Sequence, residues 1–190
     1  MVAPHAKRGV VLELIRIGDK LISLERLQQA IEDILRYRSQ GASQTDVAGR
    51  FNVDRSFVSR LETLGEIRRG RSLALIGFPV ANPKAIQDLC EQEGVDFCWV
   101  MTDQERRNFA QQLNGIELVN EIMRVAGVLR TFDVVILLAS NARVRLMEAL
   151  LDTKIVIPVI LGQTPLTEDI WVEIQELEHI IRSVKLAGEL

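Results

Sequence analysis

Residues 43–64 read SQTDVAGRFNVDRSFVSRLETL, and their spacing predicts two short helices joined by a tight turn. Ser43 has a hydroxyl to cap the first helix and Asp54 a carboxylate to cap the second. Each offers an acceptor to the N–H groups that a helix start leaves unpaired. Val47, Ala48 and Phe51 fall on one face of the first helix. Val58, Leu61 and Leu64, with Phe57 beside them, form the facing stripe on the second. Ala48 is small where the helices cross. Asn52 falls in the turn, where a left-handed backbone is required and Asn is better tolerated than most non-glycine residues. Gly65 then ends the second helix.

With Val58 and Leu61 turned inward, Arg55, Ser56, Ser59 and Arg60 project outward near the start of the second helix. This is the layout of a helix-turn-helix, whose second helix enters the major groove with its N-terminal residues on base edges. Arginine can donate two parallel hydrogen bonds to guanine, worth about 1–3 kcal/mol of discrimination per good pair. Serine can serve bases or phosphates. Phe57 is expected in the core rather than on a thymine methyl. The segment 24–65 resembles the helix-turn-helix of the Cro/phage-repressor superfamily, and also that of ParB-like partition proteins. The matching positions are Gln44, Ala48, Asn52 (a glycine in many members), Val53, Val58 and Leu61. The resemblance implies that Gln44 touches phosphate and braces the reading helix, 54–64.

Charge is distributed to match. Residues 36–72 carry eight arginines against Asp46, Asp54, Glu62 and Glu66, whereas the whole chain has a formal net charge of −3. A mildly acidic protein has gathered its positive charge around one segment, where attraction to phosphate would act. Arg68 and Arg69, just beyond the second helix, are expected on the DNA backbone.

Upstream, VVLELIRI and KLIS flank Gly18-Asp19 and predict a β-hairpin; glycine first in a two-residue loop suits a type II′ turn. Ser23 then caps a helix whose apolar face is Leu24, Leu27, Ile31, Ile34 and Leu35. These elements assign residues 1–70 to a hairpin and helix-turn-helix DNA-binding domain.

From residue 71 the rhythm changes. LALIGFPV, FCWVM, DVVILLAS and IVIPVIL are short apolar runs with little polar alternation, as strands buried on both faces of a parallel sheet require. Helical patterns alternate with them. Asn82 is placed to cap and Pro83 to begin the first, which ends at Gly94. Thr102 and Glu105 form a capping box for the next, Asn114, Gly115 and Glu117 mark a fresh start, and further helices are expected over 142–151 and 168–185, with Trp171 near the start of the last. Residues 71–190 are thus expected to form a small Rossmann-like or flavodoxin-like parallel α/β sandwich of about four strands. The long apolar helices around 116–130 and 168–185 are where a dimer surface would lie.

Ligands of open parallel sheets bind beyond the carboxyl ends of the strands. Asn82, Thr102, Ser140, Asn141, Gln163 and Thr164 fall there and are candidate effector-binding residues, although each also serves as a helix cap or turn residue. The first strand ends in IGFPVAN, with one glycine where a dinucleotide fingerprint wants three, and no phosphate-cradling GxxxxGK[ST] occurs. No cofactor is expected. Cys90 and Cys98 do not have zinc-ligand spacing and are read as buried free thiols; His5 and His179 sit at opposite ends. No catalytic constellation or metal set stands out. With no apolar run of about 18 residues, no membrane span is expected, and a cytoplasmic location follows. The composite expectation is a non-enzymatic transcriptional regulator: double-stranded DNA as partner, a homodimer, and a small-molecule effector on the α/β half. The alternatives are a ParB-like partition or chromosome-organising protein, and a small-molecule enzyme with an autoregulatory helix-turn-helix.

Overall fold

The computed structural model describes residues 14–66 and 72–188. Arg68 and Arg69 lie outside them. The chain divides into two compact units, Met1–Glu66 and Ile67–Leu190.

The first unit opens with strands β1 (Leu14–Ile17) and β2 (Lys20–Ser23), paired antiparallel from Leu14↔Ser23 to Ile17↔Lys20. Gly18 has φ +57°, and among the described residues the only non-glycine with positive φ is Asn52. Positive φ at the first loop residue alone is what a type II′ turn demands. Three helices follow: α1 (Leu24–Ser39), α2 (Gln44–Phe51) and α3 (Arg55–Leu64). The Ser23 hydroxyl accepts from Arg26 N–H at the start of α1, and Ser43 with Asp46 forms a reciprocal capping box on α2. Asn52 ends α2 at φ 52°, ψ 47°, the left-handed conformation its sequence position implies. Ile34, Val47, Ala48 and Val58 make the buried core, with Tyr37, Ala42, Phe51, Val53 and Leu61 packed around it.

Two expectations need correction here. Asp54 occupies the N-cap of α3, but its carboxylate makes no capping bond; its carbonyl oxygen accepts from Phe57 and Val58 N–H instead. Gly65 ends α3 as its position implies, in an ordinary right-handed conformation, φ −91°. The apolar stripe of α3 also outruns its partner surface. A four-residue core is satisfied by Val58 and Leu61, so Leu64 stays 83% exposed and Phe57 39% exposed. In the same way only Ile34 of the anticipated α1 face is buried.

The second unit runs β3 (Leu73–Gly77), α4 (Pro83–Gln92), β4 (Phe97–Val100), α5 (Asp103–Gln111), α6 (Gly115–Leu129), β5 (Val134–Ser140), α7 (Asn141–Leu150), β6 (Val156–Gly162) and α8 (Ile174–Gly188). The four strands are parallel, in the order β4-β3-β5-β6. Central strands β3 and β5 are buried along their whole length. Pro158 sits in β6, an edge strand, where a missing N–H is tolerated. Alternate side chains serve two cores. Leu75, Ile136 and Leu138 pack with Ile86, Leu89, Leu177 and Ile181 on one face; Ile76, Val135 and Leu137 pack with Leu129, Val144 and Leu151 on the other. Gly77 permits the close approach of β3 to β5, since a Cβ there would lie 2.9 Å from Leu138 Cβ.

Helix α8 begins at Ile174, six residues later than expected. Residues before it are held extended: Val80 and Ile170 form a parallel bridge, and Ala81 N–H donates to the Ile170 carbonyl over 2.8 Å. Trp171 therefore lies in this extended segment, 62% exposed, and not in the helix. Among the described residues no helix is long and apolar enough to cross a membrane.

Candidate functional site

The first turn and a half of α3 carries the side chains expected to meet a partner. Arg55, Ser56 and Arg60 are exposed and Ser59 is half-buried, while Val58 on the opposite side is fully buried. The core stripe thus fixes the rotation of α3 about its axis and turns the arginines out.

A polar network sets the tilt of that helix. Gln44, in the first turn of α2, donates from Nε2 to Glu62 Oε2 at 2.9 Å and accepts from Arg55 Nε at 3.3 Å. Arg38 of α1 donates from Nε to the other Glu62 oxygen and from Nη1 to the Ala42 carbonyl. One carboxylate on α3 is therefore gripped from both other helices. The Arg38 hydrogen bond, and then that of Gln44, hold the Glu62 carboxyl below its ordinary pKa. The sequence marks Gln44 as a brace but not its partner Glu62, nor the Arg38 that grips the same carboxylate. Their spacing of 24 residues carries no local signal. Arg50 packs its guanidinium over the Tyr37 ring, 4.1 Å from the centroid, and adds a further exposed cation at the end of α2.

In the second unit the strand-end candidates separate. Ser140, Asn141, Gln163 and Thr164 come together: Thr164 Oγ1 donates to Ser140 Oγ at 2.8 Å, Asn141 Nδ2 to Gln163 Oε1 at 2.6 Å, and Thr164 N–H to Asn141 Oδ1 at 2.9 Å. Their polar atoms tie the end of β5 to that of β6. Thr102 closes the expected capping box with Glu105 on α5. Asn82 occupies the N-cap of α4, but its side chain makes no capping bond; it is buried and exchanges two hydrogen bonds with the backbone of Val172, Nδ2 donating at 2.9 Å and Oδ1 accepting at 3.1 Å. That pair anchors the extended segment before α8, which no local pattern announces. Cys90 is buried and Cys98 half-buried, both as free thiols.

No family model, curated protein or solved structure matches this chain.

Proposed function

We propose that the chain is a sequence-specific, DNA-binding transcriptional regulator. In this reading α2 and α3 are a helix-turn-helix, with α3 lying in the major groove. The observation that carries it is the exposed Arg55–Ser56–Arg60 edge of α3, cross-braced through Gln44 to Glu62. Pre-set donors at a helix start suit base edges, and a helix held by two neighbours does not pay for its own ordering on binding. Gln44 and Arg50 supply phosphate contacts beside it, with Arg68 and Arg69 further along the chain.

The α/β unit serves dimerisation and effector sensing. Its strand order, second-first-third-fourth, supports the Rossmann-like or flavodoxin-like assignment. Of the two helices considered for a dimer surface, α8 turns Leu177 and Ile181 into the core. Helix α6 instead leaves Ile116, Val119, Ile122 and Met123 exposed, and is the better dimer surface.

Selection of bound fragments from a random DNA pool, followed by footprinting, tests the function. The expected result is an enriched site protected as two half-sites about one helical turn apart. No enrichment at physiological salt overturns the reading, and protection that spreads outward from one site replaces it with the partition alternative.

A further inference from the structure

The second unit contains an apolar cavity of about 340 Å³ between the sheet and helices α5, α6 and α7. Phe78, Met101 and Ala139 bring the carboxyl ends of β3, β4 and β5 to it, where open parallel sheets place ligands. Trp99 and Phe109, edge to face at 5.7 Å between ring centroids, form one wall. The volume is about twice that of a cavity of ~150 Å³ known to take up benzene, and it falls in the ordinary range for small-molecule sites, about 300–1,000 Å³.

Two cations break this apolar lining, Arg106 and Arg143. Arg143 Nη1 and Arg106 Nε are both buried and find no hydrogen-bond partner among the described residues. Arg106 is tied by Nη2 to Asp103, at 2.5 Å, and Arg143 lies over the Phe78 ring at 5.4 Å. Buried guanidinium N–H groups are rarely left unpaired, because the lost hydration is not replaced. Two like charges facing one apolar space add repulsion, which Asp103 offsets in part beside Arg106. Burial first, and then the Arg106 charge, hold the Arg143 guanidinium below its ordinary pKa, with Asp103 opposing. The one carboxylate on the wall, Glu121, is already occupied by Arg124, which donates to it at 2.8 and 2.6 Å. Arg143 Nη1 and Arg106 Nε therefore each lack an acceptor among the described residues, while Arg106 Nη2 keeps Asp103.

We propose that this cavity binds a small amphipathic carboxylate, its apolar body against Trp99 and Phe109 and its anionic head on Arg143 and Arg106. An aliphatic or aromatic acid answers both halves of the site: it fills the apolar volume and satisfies the orphan donors. A neutral hydrocarbon would answer only the first. This gives the effector of the proposed regulator a chemical class, but the site stands on the α/β unit alone and does not depend on DNA binding.

The test is calorimetric titration of the full-length chain with octanoate, 1-octanol and octylamine, without DNA. Octanoate is expected to bind saturably, 1-octanol at least about tenfold more weakly, and octylamine not at all; loss of charge-assisted hydrogen bonds sets that scale. Arg143→Gln and Arg106→Gln should each weaken octanoate by about tenfold or more and leave 1-octanol within about twofold. The 1-octanol arm also shows that each variant still holds its cavity. Should one variant fail to fold, the other carries the comparison. Equal binding of octanoate and 1-octanol, or octanoate binding untouched by either substitution, overturns the proposal. So does octanoate uptake that grows on dilution, which would mean a second copy covers the cavity. Failure here leaves the DNA-binding reading standing, and failure of DNA selection leaves this one standing.

Discussion

Gln44 donates to Glu62 over 2.9 Å, joining the first turn of α2 to the third turn of α3. The same glutamine accepts from Arg55, so a single amide lies between the structural carboxylate of α3 and a cation on its outer edge. Because Arg38 holds the other oxygen of Glu62, the orientation of α3 depends on a charge buried only partly and shared by three helices. Such a linkage makes the placement of α3 sensitive to the ionisation of Glu62.

That sensitivity has a definite sign. Glu62 has a folded-state pKa below its ordinary 4.5, because Arg38 and Gln44 bond to the ionised form. A depressed carboxyl pKa contributes stability that is fully present above the unfolded-state value and is lost as pH falls through the folded one. Hydrogen exchange of α2 and α3 amides in wild type should therefore accelerate below pH 4.5, after correction for intrinsic rates. Glu62→Gln should exchange faster than wild type at neutral pH and converge with it in acid. A constant difference between the two proteins across that range would show that the carboxylate contributes nothing.

Asn52 is the second local test. At φ 52°, ψ 47° an alanine side chain meets the steric cost of the left-handed region, about 1–2 kcal/mol. Asn52→Ala should lower the protection of Val53 N–H, which bonds the Ala48 carbonyl at 3.0 Å, by a corresponding amount. Asn52→Gly should leave it nearly unchanged. Equal loss in both variants would point to a lost side-chain contact rather than backbone conformation.

The sequence signals that proved readable were those in which the cause is local or periodic. Asn52 follows from a turn that only a few residues tolerate, and the runs ending at Gly77 and Ser140 follow from strands covered on both faces; the edge runs ending at Val100 and Gly162 are strands too, but β6 leaves Pro158 and Ile160 exposed. What stayed hidden depends on partners distant in the chain. Asn82 looks like a cap because its true partner, Val172, is 90 residues away, and that same anchor delays α8 to Ile174. Leu64 reads as core because periodicity cannot say where the neighbouring surface stops. The strand-end polar residues were legible as a location, but not as a closed set bonded to one another. The cavity did leave a trace. Arg143 precedes Leu146, Met147 and Leu150, and Arg106 precedes Phe109 and Ala110, so each cation heads an apolar face at i+3 and i+4 spacing.

Packing between the central strands offers a test of the α/β unit by itself. A methyl group on Gly77 would lie 2.9 Å from both Leu138 Cβ and Cδ1. Both strands are buried there, so neither can shift without disturbing a core on each face. Gly77→Ala should cost about 1–3 kcal/mol, the usual range for overpacking, read as a lower denaturation midpoint followed by tryptophan fluorescence. Both tryptophans, Trp99 and Trp171, belong to this unit. An unchanged midpoint would mean that β3 and β5 sit farther apart than their register implies.

The proposed DNA contact stands or falls with Arg55 and Arg60. Both are exposed, and among the described residues Arg60 makes no hydrogen bond that holds the fold, whereas Arg55 gives up one long bond to Gln44. Arg55→Ala with Arg60→Ala should therefore leave the exchange protection of Val47 and Val58 near wild type, since the core they occupy is untouched. If each arginine reads a base, the pair contributes on the order of 2–6 kcal/mol of discrimination, so specific affinity should fall by about thirtyfold at the least. Phosphate contacts alone would act differently: affinity for all sequences would drop together and the salt dependence would become shallower. Titrating selected and scrambled DNA at two fixed salt concentrations separates these cases. Undiminished preference for the selected site in the double variant would exclude α3 as the reading element.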